Sequence, residues 1–263
     1  MLDAAISAAK SGGEILCSYW RKLPRESVAE KGRNDFVSRA DKESEAAIVE
    51  TLLGRYPDDG ILAEERPRRP GRSGREWVID PLDGTSNFIA GFPFWCISIA
   101  ARRGGETVAG VVWDPLAGEL YSAEKGAGAF RDGSRLSASS RPGVEGSFLA
   151  TGFPFRAKDL IDDYLAIFRA LFLKARAIRR AGSAALDLAH VASGVFDGFF
   201  EFRLSPWDIA AGEILIREAG GVLCDFEGGV RYLETGDVTA GSSGVVRDIL
   251  AAAQGSHSKT TPA

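Results

Sequence analysis

The amino-acid sequence predicts an α+β fold of two layered halves, and three features of its hydrophobic pattern carry that reading. Two stretches of helical spacing open the chain, short apolar runs joined by tight turns follow, and beyond about Gly146 strands alternate with helices. In the first helix Leu2, Ala5, Ile6, Ala9, Gly13, Leu16 and Trp20 recur on one face. The second spans about Asp41 to Arg55 and stops at Tyr56-Pro57, because proline disfavours helical backbone in the residue before it. The runs Gly60 to Ala63, Glu76 to Ile79, Trp95 to Ala101, Val108 to Trp113, Leu120 to Ala123 and Ala129-Phe130 have the length and bounding turns of strands. The turns Asp114-Pro115, Gly126-Ala127-Gly128 and Asp132-Gly133 are too short for helical crossovers, so this sheet is expected to be largely antiparallel.

The second half reads as strand Ser147 to Thr151, helix Leu160 to Leu173, strand Ala175 to Arg179, helix Ser183 to Ser193, strand Asp197 to Phe202 and helix Ile209 to Ala219. Strands Val222 to Phe226 and Val238 to Gly241 and a last helix, Val245 to Ala253, complete it. The expected division is an N-terminal half over 1–144, a C-terminal α/β half over 145–253 and a flexible tail over 254–263, with the seam at Arg141-Pro142-Gly143. The stretch from Arg66 to Arg75 holds two prolines and two glycines and is expected to be an exposed loop between strands.

Composition narrows the function. The chain has 263 residues, 45% apolar and 26% charged, with a formal net charge of −4, so it needs no disulfide or structural metal to fold and offers no general field for nucleic acid or an anionic membrane. Nucleic acid is therefore an unlikely partner in this reading. Cys17, Cys96 and Cys224 form no C-x-x-C pair, no apolar run approaches the roughly 18 to 20 residues that span a bilayer, and Asp3, Lys10 and Glu14 interrupt any signal-like start. The expected location is the cytoplasm. Only His190 and His257 are present, and only His190 lies in a packed run, so carboxylates and hydroxyls must carry most catalytic chemistry.

The informative string is Trp77-Val78-Ile79-Asp80-Pro81-Leu82-Asp83-Gly84-Thr85-Ser86-Asn87-Phe88. An apolar strand ends at an acid, Pro81 stops the ladder, and a turn aims Asp80 and Asp83 at one point. Two carboxylates so placed repel unless a positive charge sits between them. Gly84 permits close backbone approach, and Thr85, Ser86 and Asn87 read as a helix's first turn, whose free N–H groups favour an anion. Singly, these residues have ordinary readings: Asp83 as a turn residue, Asp80 as a strand-end acid, Thr85 or Ser86 as an N-cap. Together they read better as cation ligands beside an oxyanion cradle. Glu64 ends another strand, while Asp208 and Asp41 each open a helix, where a capping role alone accounts for an acid.

Asp80-Pro81-Leu82-Asp83-Gly84-Thr85-Ser86-Asn87-Phe88 and Trp207-Asp208-Ile209-Ala210-Ala211-Gly212 resemble the paired signatures of the inositol monophosphatase family, with Ala63-Glu64-Glu65, Asp41 and Glu218-Ala219-Gly220-Gly221 at the expected places. The resemblance covers roughly Leu2 to Ala253. It implies a layered αβαβα sandwich with a largely antiparallel N-terminal sheet and a mixed C-terminal sheet, usually a homodimer, and a lithium-sensitive phosphomonoesterase using two or three Mg²⁺ ions. By the same resemblance, Glu64, Asp80, the Leu82 carbonyl, Asp83 and Asp208 match metal ligands, and Thr85 and Asp41 match a water-activating pair with Glu64 as base. Gly84, Thr85 and Ser86 match a phosphate cradle; Gly182, Ser183, Ala184 and Glu201, with Asp208, match the surroundings of the substrate's alcohol.

The expected reaction is hydrolysis of a small phosphate ester, with inositol 1-phosphate leading. Fructose 1,6-bisphosphate, histidinol phosphate and adenosine 3′,5′-bisphosphate stay open, since the motif residues handle only the phosphate and metal common to all. Arg179-Arg180 reads equally as a contact for a second phosphate or as a surface or interface ion pair. A reading from another class is a regulatory binding protein that keeps the phosphatase fold.

Overall fold

The computed structural model describes residues 1–23, 28–32, 35–155 and 157–257. Helices α1 (Leu2–Tyr19) and α2 (Arg39–Arg55) lie on one face of a seven-stranded sheet. A two-stranded antiparallel hairpin, β1 (Val28–Gly32) and β2 (Asp35–Ser38), joins them; no apolar alternation announces it in the sequence. The large sheet runs in the order β3 (Gly60–Ala63), β4 (Arg75–Asp83), β5 (Cys96–Arg103), β6 (Glu106–Asp114), β7 (Glu119–Glu124), β8 (Gly128–Arg131), β9 (Ser134–Arg135). Every pairing from β4 onward is antiparallel, as the short turns from β5 to β9 require of those strands, whereas β3 and β4 are parallel. A short helix, α3 (Thr85–Ala90), separates β4 from β5.

The second sheet has the order β11 (Ala177–Arg179), β10 (Phe148–Thr151), β12 (Gly198–Glu201), β14 (Val238–Gly241), β13 (Val222–Cys224). Its first three strands are parallel and the rest pair antiparallel, the expected mixed sheet. Helix α4 (Ile161–Phe172) crosses from β10 to β11, and α5 (Ala184–Ala192) leads from β11 to β12. Helix α6 (Pro206–Glu218) precedes β13, and α7 (Tyr232–Thr235) is a single turn before β14. The last helix, α8 (Ser243–His257), runs past the expected end at Ala253 into the stretch read as a flexible tail; 258–263 lie outside the described residues.

These elements stack as an αβαβα sandwich: α1 and α2, the large sheet, α5 and α6, the second sheet, then α4 and α8. Three apolar clusters fill the spaces between layers. Alternation on β5 displays the principle: Ile97, Ile99 and Ala101 face α1 and α2, while Cys96 and Ala100 face α5 and α6. The middle helices belong by sequence to the second half and by packing to both sheets, so the cleft at their N-termini is walled by both halves.

Candidate active site

A bulge decides the geometry of the acidic string. Asp80 pairs with Ser98 and Asp83 with Cys96, so β4 carries one residue more than the facing stretch of β5. Two side chains three positions apart on a regular strand point to opposite faces. The extra residue restores parity, and Asp80 and Asp83 both face the middle layer while Leu82 packs toward α1 and α2. Pro81 therefore does not stop the strand; it lies in the bulge, where its missing N–H removes no ladder bond. The Pro81 carbonyl accepts from Ser44 Oγ of α2 at 3.1 Å, and Leu82 N donates to Asp80 Oδ1 at 2.9 Å.

Two further acids arrive from neighbouring elements. Parallel pairing sets Ala63 opposite Ile79, so Glu64 leaves β3 beside Asp80. Asp208 is the third residue of α6, and its Oδ2 accepts the Ser205 N–H at 2.7 Å in a capping box. Ser98 Oγ donates to the Trp207 carbonyl at 3.0 Å, tying the start of α6 to the residue that pairs with Asp80. As a result, carboxylate oxygens of Asp80, Asp83 and Asp208 lie within 4.8 Å of one another, and all three residues are buried. Burial first, then the charges of Glu64, Asp83 and Asp208, push the Asp80 carboxyl well above the ordinary carboxylate range. A buried all-oxygen set with this much mutual repulsion fits a hard divalent cation, and His190 does not line the cleft.

Beside the acids, Gly84 caps α3 at φ 97°, and a Cβ there would come within 3.0 Å of the Phe94 carbonyl, so only glycine serves. The Thr85 hydroxyl stands 3.0 Å from both Asp41 Oδ1 and the Leu82 carbonyl. It has one proton, and the carboxylate is the stronger acceptor. Asp41 is not a plain helix opener: it completes a capping box with Ser38 through Oδ2 and uses Oδ1 for Thr85. Burial raises its pKa against the lowering effect of the Ser38 and Thr85 hydrogen bonds.

The C-terminal half closes on this frame. Ser183 Oγ and Ala185 N both donate to Asp83 Oδ2 at 2.7 Å, so the start of α5 orients an acid of β4. Asn87 Nδ2 donates to the carbonyls of Phe94 at 2.7 Å and Ala181 at 2.9 Å, fixing the Gly182 segment against α3. Between the halves lies a cleft of about 190 Å³. Glu64, Asp80, Leu82, Asp83, Gly84, Thr85, Ser86, Gly182, Ser183, Ala184, Glu201 and Asp208 all line it, and Asp41 stands behind Thr85. The Glu201 carboxylate rests where a Cβ on Gly152 would be, so that glycine makes its place.

A family model described as "Inositol monophosphatase family" matches residues 1–259. The chain belongs to that family. A family relative, "Nus factor SuhB" of Salmonella typhimurium (strain LT2), is 46% identical over 252 residues, 95% of this chain and 94% of that protein. Among solved structures, the extragenic suppressor protein SuhB from Bartonella henselae is 38% identical with a TM-score of 0.91, covering 96% of this chain and 97% of that one. The inositol monophosphatase from Anabaena is 35% identical with a TM-score of 0.87, over 97% and 95%. The SuhB relatives carry a factor's name rather than an enzyme's, which removes the support for treating nucleic acid as an unlikely partner.

The structure turns one residue of the pair Arg179-Arg180 to the cleft, and another cleft residue of this family member, Asp187, escaped the sequence reading. Arg180 lies over the rings of Phe153 and Phe155, at 5.4 and 5.2 Å, and lines the cleft, whereas Arg179 turns to Phe148. Asp187 lines it from the first turn of α5, buried to 1% exposure. Its signal was available: an acid inside the apolar run Ala184-Ala185-Leu186-Asp187-Leu188 is costly unless it has a task. His190 is a packing residue, its ring within 6.0 Å of Phe94, Tyr121 and Phe196. The basic loop is held by its own structure: Arg66 pairs with Glu45, Arg68 with Glu76 and Arg75 with Asp59. No helix among the described residues is long and apolar enough to cross a membrane.

Proposed function

We propose that this protein is a Mg²⁺-dependent phosphatase of small phosphate monoesters, with inositol 1-phosphate the leading substrate, acting in the cytoplasm. The supporting observation is the meeting of Glu64, Asp80, Asp83 and Asp208 at one wall of a cleft that also holds the start of α3. Glu64, Asp80, Asp83, Asp208 and the Leu82 carbonyl would hold the metal. Bound Mg²⁺ supplies charge neutralisation at the phosphate and acidifies water. The backbone of Gly84, Thr85 and Ser86 cradles the phosphate. Glu64 takes the proton of the attacking water, and Thr85, its own proton directed to Asp41, orients that water through an oxygen lone pair. Asp208 sits beside the leaving oxygen, and Gly182, Ser183, Ala184 and Glu201 receive the alcohol.

Phosphate release from inositol 1-phosphate, fructose 1,6-bisphosphate, histidinol phosphate and adenosine 3′,5′-bisphosphate, with and without Mg²⁺, tests the reading. Mg²⁺-dependent hydrolysis far faster on inositol 1-phosphate, inhibited by lithium, is the expected result; no release from any ester would sink it.

A homodimer is part of this proposal. Ile161, Leu165 and Phe172 are exposed along one face of α4, with Asp162 and Asp163 at its start and Lys174 and Arg176 past its end. An antiparallel pairing with a second copy sets each acidic end against a basic one. The name "Nus factor" on the relatives favours a second reading, a regulatory role on the same fold. Loss of cellular function in a strain whose only copy is catalytically dead would separate an enzymatic role from that one.

A further inference from the structure

Several buried side-chain nitrogens and oxygens among the described residues have no hydrogen-bond partner: those of Trp95, Arg102, Ser147, Asp187, His190, Trp207 and Thr239. Only one of these residues, Asp187, lines the cleft. A buried carboxyl oxygen left without a partner is destabilising, and an oxygen so placed beside a cleft obtains its partner from what the cleft binds. We propose that Asp187 is a substrate contact, hydrogen-bonded to a hydroxyl on the alcohol part of the ester; the proposal rests on the phosphatase reading and extends it to substrate choice.

The surroundings of Asp187 agree. It occupies the first turn of α5, directly after the Gly182 to Ala184 segment and four residues from Ser183, whose hydroxyl is spent on Asp83. With Ser183 so occupied, Asp187 is the polar side chain of this helix end that remains for a ligand. Burial, then the charges of Glu201 and Asp83, hold its carboxyl well above the ordinary range, with Arg180 opposing. A carboxyl oxygen accepts a hydrogen bond, which suits the O–H of a ligand hydroxyl. The ligand class is a polyol monophosphate with a hydroxyl near the ester carbon. A monoester of a hydroxyl-free alcohol leaves the Asp187 oxygen as it stands, so the residue favours the first over the second.

The test measures kcat/KM on inositol 1-phosphate and on 4-nitrophenyl phosphate, with Mg²⁺, for wild type, Asp187→Ala and Asp187→Asn. The ratio of the two values should fall at least tenfold in Asp187→Ala and recover to within about threefold of wild type in Asp187→Asn, which keeps the shape and the hydrogen-bonding head. Asp187→Ser replaces the alanine variant if the latter does not fold. A ratio unchanged in Asp187→Ala, or equal losses on both esters, overturns the proposal, since a merely structural residue affects both alike. Wild type inactive on both esters would remove inositol 1-phosphate as the substrate, and the proposal with it; wild type active on both with unchanged ratios removes only the role of Asp187.

Discussion

Ser183 donates its hydroxyl to Asp83 at 2.7 Å, a hydrogen bond that joins residues 100 positions apart. The acid on β4 and the start of α5 are thereby one unit, and the two walls of the cleft are tied together.

Loss of that bond should show in metal affinity. A hydrogen bond to a charged group is worth about 1.5–3 kcal/mol, and removing such an outer partner of a ligand weakens metal binding about 10–100-fold. Ser183→Ala should raise the Mg²⁺ concentration for half-maximal phosphate release about tenfold. An unchanged Mg²⁺ titration would show that Ser183 does not support the site.

Glu64→Gln and Asp83→Asn should each reduce turnover by about 10²–10³ or more while the circular dichroism spectrum stays that of wild type. Either variant with a near wild-type rate would contradict the assigned roles.

Thr85 and Asp41 separate a hydroxyl's role from a cap's. Thr85→Val should lower kcat about 100-fold, with Thr85→Ser largely restoring it, because the serine keeps the oxygen 3.0 Å from Asp41. Asp41→Ala should in addition lower the urea-denaturation stability by about 0.5–2 kcal/mol, the worth of a lost helix cap. Equal rates for Thr85→Val and Thr85→Ser would remove the hydroxyl from the mechanism.

His190 sets a pH dependence of stability away from the cleft. Burial lowers its pKa from the ordinary 6.5, with a smaller opposing effect of Glu119. The unfolded chain then takes up the proton first, so this contribution is complete above 6.5 and is lost as pH falls through the folded value. Urea midpoints measured from pH 8 to pH 5 should fall less steeply in His190→Gln than in wild type; parallel curves would refute it.

Leu165 is half exposed on the apolar face of α4. Leu165→Glu should convert a dimer to a monomer in sedimentation velocity, and a dimer that survives the change would place the interface elsewhere.

Much of the fold is legible in neighbouring residues. Burial periodicity marks α1, α2, α4 and α8, whereas α5 and α6 are buried almost all round, and turn length makes the sheet from β5 to β9 antiparallel before any contact is known. The hairpin β1–β2, the two-residue β9 and the single-turn α7 are too short to impose a pattern. The parallel pairing of β3 with β4 escapes for another reason: the loop between them is long enough for either direction, and its arginines find their acids only after folding.

The acids of the site show the same division. Their identity and their positions at element ends are written in the chain, and so is membership of the family. That Asp80 and Asp83 share a face follows from a bulge, and a bulge exists only relative to a partner strand. That Asp83 is steered by Ser183, and that Asp187 is the cleft residue with an unmatched oxygen, depends on atoms brought together across both halves. Backbone preference and burial period are properties of residues close in sequence, so the sequence by itself determined the elements and the chemical inventory. Register, parity and hydrogen-bond satisfaction are properties of pairs far apart in sequence, and only the tertiary structure decided them.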